Sequence, residues 1–191
     1  MSTAAATALP GKVLADLLPA SRVRDIALVA GGAALTGIAA QIAVPVPGSP
    51  VPVTGQTFAA LLVGTALGAG RGFLSLALYA LVGLAGVPWF AEGSHGVSPT
   101  FGYIIGMMLA AALVGALARR GADRSVLRMA GTMLLGSAVI YAIGVPYLSA
   151  ATFLSPTEAV AAGFTPFLIG DALKAALAMG LLPTAWKLVN R

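Results

Sequence analysis

The sequence predicts an all-α membrane protein with six transmembrane helices and both termini on the cytoplasmic side. Three observations carry that expectation. Of the 191 residues, 59% are hydrophobic and only 9% are charged, against about 25% charged in ordinary soluble domains. The apolar stretches are separated by clusters of proline, glycine and charge. The basic residues gather on alternate connections, which is a topology signal and not the clustered soluble face of a nucleic-acid binder. The length is that of one domain. With no cysteine and one histidine, disulfides and thiolate metal sites are excluded, and nothing calls for a metal or another cofactor.

Residues 1–24, MSTAAATALPGKVLADLLPASRVR, do not read as a secretory signal. Pro10, Lys12, Asp16 and Pro19 interrupt the apolar run, and the basic residues follow it. They form a cytoplasmic or interfacial lead-in to a single membrane domain, residues 25–191. The first span covers 25–44. Its stretch ALVAGGAALTGIAAQ (27–41) puts Ala30 and Ala34 on one face, with Ala33 and Gly37 on the neighbouring one. Such spacing of small residues lets another helix approach closely in lipid, from within the bundle or from a partner.

The first outer connection, AVPVPGSPVPVTGQT (43–57), is stiffened by four prolines. It delivers Thr54 and Gln56 into the second span, 54–69, where an unpaired amide is costly. Gln56 offers both donors and an acceptor. Gly70-Arg71-Gly72 separates that span from the third, 72–87; both are short and glycine-rich. The second outer connection is GLAGVPWFAEGSHGVSPTFGY (83–103). Its Trp89 and Phe90 read as interfacial anchors or as the cover of a pocket. Gly93 and Gly96 permit a turned loop, with His95 on its surface. Tyr79 and Tyr103 each offer a hydroxyl from within a span. The fourth span covers 99–118 and the fifth 126–150. The sixth, 165–189, opens with Thr165 as N-cap and Pro166 at the first helical position.

With the N-terminus inside, the cytoplasmic segments hold Lys12, Arg22, Arg24, Arg71, Arg119, Arg120, Arg124, Arg128, Lys187 and Arg191, ten of the eleven basic residues. The three outer connections hold none. Removing any one span would scatter the charges across both sides.

The eleventh basic residue is Lys174, inside the last span and three residues after Asp171. Positions i and i+3 share a helical face. Counted from Thr165, Asp171 lies about 9 Å and Lys174 about 13 Å below the outer end of the helix. Each charge at membrane depth costs about 2.5–3.5 kcal/mol on insertion scales. One reading is an ion pair that only neutralises itself, but a pair without a task is replaceable by apolar residues at a gain. The other is a binding site with one strong acceptor and one strong donor, suited to a urea or amide ring or to an acidic ligand. The polar and aromatic groups above collect at the same outer end, drawn from the second to fourth and the sixth spans. That is the form of a small-molecule pocket.

Three stretches, IAVPVPGSPVPVTGQTF (42–58), YALVGLAGVPWFAEGSHGVSPTFGYIIG (79–106) and GDALK (170–174), occur in this order on a six-span chain. Together they resemble the BioY family, the biotin-specific substrate-binding S components of energy-coupling factor transporters. The resemblance implies a high-affinity biotin binder in the cell membrane whose pocket opens outward, with ligand contacts at Gln56, Asp171 and Lys174. Asp171 suits the N–H groups of the ureido ring, and Lys174 its carbonyl or the carboxylate tail. His95 or a tyrosine hydroxyl are the other candidates for the carboxylate. The resemblance also implies a transmembrane coupling protein and two ATP-binding-cassette ATPases as partners, docking on the small-residue face of the first helix. The sequence has no G-x-x-x-x-G-K-[ST] motif, no catalytic triad and no metal cluster, so uptake energy has to come from elsewhere. The alternative is a self-sufficient secondary carrier in which Asp171 takes up and releases a proton.

Overall fold

The structure, a computed structural model, describes residues 11–189. The first ten residues of the lead-in fall outside that range. The Ser21 hydroxyl accepts from the Arg24 N–H at 3.0 Å and starts α1 (Arg22–Ala40). A two-residue antiparallel hairpin follows, β1 (Ala43–Val44) with β2 (Val53–Thr54), pairing Ala43 with Thr54 and Val44 with Val53. The four prolines between them supply no ladder donors, so the pairing goes no further. Next come α2 (Gln56–Leu67), α3 (Ala69–Leu84), α4 (Phe101–Arg119), α5 (Val126–Thr152), α6 (Pro156–Gly163) and α7 (Leu168–Val189).

The protein is an all-α membrane protein built around α4, which packs against α2, α3 and α5; α1 covers α3, and α7 covers α5. Among the described residues, Arg22–Ala40, Phe101–Arg119, Val126–Thr152 and Pro156–Val189 are long and apolar enough to cross a membrane. Helices α2 and α3, with 12 and 16 residues, are about 18 and 24 Å long, short of a core about 30 Å thick. Glycine brings α2 close to α4 and α3 close to α2. A Cβ on Gly64 would lie 2.5 Å from the Ala111 carbonyl oxygen, and one on Gly72 would lie 2.7 Å from the Gly64 Cα. Gly64→Val is therefore expected to lower the thermal midpoint of the purified protein well below that of Gly31→Val, since a Cβ at Gly31 meets nothing within 4 Å. Equal midpoints would mean that α2 and α4 separate freely.

Two features differ from the sequence expectation. Residues 154–165, read as a plain connection, contain α6. A reciprocal cap builds it: the Ser155 hydroxyl accepts from the Glu158 N–H at 3.4 Å, and the Glu158 carboxylate accepts from the Ser155 N–H at 2.9 Å. The second difference is the start of the last span. Phe164 turns the chain (φ −132°, ψ −56°), and Thr165–Phe167 form one 3-10 turn. Thr165 is thus not the cap, and α7 opens at Leu168. Asp171 and Lys174 lie about 4.5 and 9 Å along α7, closer to the start of the helix than counted from Thr165.

The lead-in is folded into the base of the bundle. Val13 and Ala15 are buried with Ala118. Asp16 accepts from Arg71 at 2.6 Å and from Arg119 at 3.2 Å. Arg119 also donates to the Gly11 carbonyl, and Arg124 to the Lys12 carbonyl. Burial opposes the charge on Asp16, but the Arg71 hydrogen bond, the Val13 N–H and Arg119 outweigh it and hold the carboxyl below its ordinary value. The Trp186 indole donates to the buried Asp123 at 2.6 Å, and the Arg124 guanidinium lies 3.9 Å over the same ring.

Candidate ligand-binding site

Helix α7 carries the two ionisable groups of the site on one face. The Lys174 ammonium donates to Asp171 Oδ1 at 3.2 Å and to the Thr57 hydroxyl of α2 at 2.8 Å. The Tyr141 hydroxyl of α5 donates to Asp171 Oδ2. Both carboxylate oxygens are therefore held from inside the protein. Side-chain exposure is 16% for Asp171 and 15% for Lys174, so neither charge is sealed off, and a ligand can reach them. A carboxylate has about four acceptor sites, which leaves room for further donors.

Two cavities meet at this cluster, with Thr57, Tyr141 and Lys174 in the walls of both. The smaller, about 50 Å³, lies under the hairpin. Val51, Pro52 and Thr54 line it from the hairpin, Gln56 from α2, Phe90 from the loop after α3, and Tyr103, Ile104 and Met107 from α4. Among the described residues the side-chain amide of buried Gln56 makes no hydrogen bond, although it lies in this wall. The larger cavity, about 630 Å³, runs between α5 and α7 and has an almost wholly apolar lining.

The remaining sequence candidates fall into two groups. Thr54, Gln56, Phe90, Tyr103 and Lys174 border the small cavity, and Asp171 borders the large one beside Lys174. The Thr54 hydroxyl accepts from the Gln56 N–H at 3.3 Å. The Tyr103 hydroxyl donates to the Gly163 carbonyl at 2.8 Å, so its ring, not its donor, is offered to the cavity.

Tyr79, Trp89 and His95 border neither cavity. Tyr79 is fully buried and exchanges hydrogen bonds with Trp89: hydroxyl to carbonyl at 3.3 Å, and indole N–H to carbonyl at 3.0 Å. Trp89 turns inward over Gly37 of α1, where a Cβ would lie 2.9 Å from the indole. His95 is exposed between Gly93 and Gly96, both at positive φ.

On α1, Ala33 and Gly37 are buried in the bundle, while Ala30 and Ala34 face outward. The outward small-residue face is thereby narrowed to the latter two.

Three positioning groups were not singled out from the sequence. Tyr141 comes from the fifth span, which was left out of the pocket. Thr57 follows Gln56 directly. Gln41, at the end of α1, donates to the Trp89 and Phe90 carbonyls at 3.0 and 3.1 Å and accepts from the Gly93 N–H at 3.2 Å. It fixes the loop that presents Phe90.

Comparison with known proteins agrees with this architecture. The "Probable biotin transporter BioY" of Pyrococcus horikoshii is 39% identical over 162 residues, covering 83% of this chain and 93% of that one. The "Biotin transporter BioY2" of Lactococcus lactis subsp. cremoris is 32% identical over 160 residues, covering 82% and 87%. A crystal structure of the S-component for biotin from an ECF-type ABC transporter shares the fold, with a TM-score of 0.78 at 21% identity over 88% of this chain and 95% of that one. The BioY family matches residues 10–191, and the chain belongs to that family.

Proposed function

We propose that this protein binds biotin at the outer end of its bundle and admits it to the cell as the S component of an energy-coupling factor transporter in the plasma membrane. The observation that carries this reading is the Asp171–Lys174 pair, held by Tyr141 and Thr57 next to the unpartnered amide of Gln56. Biotin combines two ureido N–H donors, a carbonyl, an apolar ring and a carboxylate. Asp171 accepts from the ureido N–H groups, while Lys174 and Gln56 donate to its oxygens. Phe90, Tyr103, Ile104 and Met107 enclose the apolar ring. At about 50 Å³ the small cavity holds only a few waters, so the ring enters by displacing the hairpin or Tyr141. Titration of the purified protein with biotin, followed through tryptophan fluorescence, tests the reading. A saturable change with one site per chain is expected. A flat titration of folded protein refutes it.

The named relatives are transporters, and the exposed Ala30–Ala34 face of α1 is the proposed seat of a transmembrane coupling protein, which in turn carries two ATP-binding-cassette ATPases. The orientation goes with this reading. Single cysteines at Ser94 and Thr157, both exposed, should react with an impermeant reagent applied to whole cells, and one at Ser125 should not. Labelling at 125 alone would invert the topology and place the pocket inside.

A further inference from the structure

Gln41 ends α1 and borders neither cavity, yet one wall of the small cavity depends on it. Phe90 and Ala91 supply that wall from the loop between α3 and α4. No strand ladder holds this stretch. Its backbone turns sharply, with Glu92, Gly93 and Gly96 at φ 58°, 69° and 74°, and for Glu92, which is not glycine, that conformation is unfavourable. The Phe90 N–H donates to the Ser94 carbonyl at 2.9 Å, and the Gly93 N–H to the Phe90 carbonyl at 3.1 Å. Those bonds close the turn on itself without tying it to the bundle.

Three attachments reach the bundle. The Gly96 N–H donates to the Gly83 carbonyl at 3.0 Å and ties the far end. Tyr79 and Trp89 tie the start. Among the described residues, only Gln41 bonds the backbone of Phe90 and Gly93 from outside the loop. The amide suits this task, because it combines two N–H donors with an acceptor. Its nitrogen faces the carbonyls of Gly37, Trp89 and Phe90 at 3.0, 3.0 and 3.1 Å, while its oxygen takes the Gly93 N–H at 3.2 Å. The Phe90 ring needs that support. It is 3% exposed, packs edge-on against Tyr79 with centroids 5.1 Å apart, and lies over Gly83, where a Cβ would collide with it. A ring in so close a slot fits only while the main chain beside it keeps its height.

We propose that Gln41 is a positioning residue for the ligand site: by tying the Phe90 carbonyl and the Gly93 N–H to the end of α1, it holds the Phe90 ring in the wall of the small cavity without touching the ligand. This rests on the reading that biotin binds there. Gln41 itself is exposed, so water competes for its bonds, and the loss on removing them is that of about one net hydrogen bond.

The test uses the purified full chain. Gln41→Met keeps the length of the side chain and removes all of its hydrogen bonds. Without ligand, acrylamide quenching reads the loop: of the two tryptophans, Trp186 is 2% exposed, so the quenching reports Trp89. It should rise in Gln41→Met. Calorimetric titration should show biotin binding weakened about threefold to tenfold. In a Phe90→Ala background the same change should add less than about twofold, because the ring that Gln41 holds is gone. Gln41→Glu keeps an acceptor for Gly93 but loses both donors, and should behave as Gln41→Met does. Unchanged quenching, wild-type affinity in both Gln41 variants, or an equal loss with and without the Phe90 ring would each overturn the inference. Wild-type protein that ignores biotin refutes the functional reading and takes this inference with it; wild-type protein that binds, with Gln41 variants that bind as well, refutes this inference alone.

Discussion

Asp171→Asn is expected to weaken biotin binding by at least tenfold, and by up to about a hundredfold. In the proposed bound state the carboxylate serves Lys174, Tyr141 and the ureido N–H groups. Asparagine keeps one acceptor oxygen and turns the other position into a donor, which then faces a hydroxyl or an ammonium. Loss of a hydrogen bond to a charged group is worth roughly 1.5–3 kcal/mol, which is the stated range at about 1.4 kcal/mol per decade. Lys174→Met is expected to fall in the same range, because it removes the donor to the ligand and the bond to Thr57. Tyr141→Phe keeps the ring, which packs edge-on against Phe164 with centroids 4.9 Å apart, and removes only the hydroxyl that steadies Asp171. A loss of about threefold to tenfold, under about 1.4 kcal/mol, is expected. Biotin titrations of the three variants, each checked for an unchanged thermal midpoint, measure these values. Wild-type affinity in Asp171→Asn would reduce the pair to an internal ion pair.

The second large effect concerns assembly. Ala30→Leu combined with Ala34→Leu should leave biotin binding by the isolated protein within about threefold, under 0.7 kcal/mol, yet abolish co-purification with the proposed coupling protein. Both alanines are exposed on α1. Helix α1 lines neither cavity. In lipid, association depends on close backbone approach rather than on hydrophobicity, so two leucines act as spacers. Uptake by the double variant at the wild-type rate would move the docking surface elsewhere.

How much of this was legible in the sequence depends on the range of the interaction concerned. The Asp171–Lys174 contact follows from i, i+3 spacing alone, and the helices follow from apolar runs and breakers. The inward turn of Trp89 does not, because interfacial tryptophans ordinarily point to the headgroups. Only the closeness of Gly37, more than fifty positions away in sequence, lets this one tuck under α1. Tyr141 is one of two tyrosines in an apolar run, with Tyr147, and its role depends on the rotation of α5 against α7, which nothing local sets. Helix α6 could have been read: Ser155-Pro156-Thr157-Glu158 is a capping box with proline at the first helical position.

The arginines at the base have two uses. Arg71, Arg119 and Arg124 belong to the charge asymmetry from which the proposed orientation is read, and the same three hold Asp16 and the lead-in backbone. During insertion only their charge counts; in the finished protein their forked geometry counts as well. A neutral replacement therefore confuses two failures, a chain inserted the wrong way round and a correctly inserted chain with a loose base. Lysine separates them. It keeps the positive charge but cannot reproduce the two-pronged grip of Arg71, whose Nη2 holds Asp16 at 2.6 Å while its Nε lies 3.4 Å from Asp25, so a lysine-substituted protein isolates the cost of the fold from the cost of biogenesis.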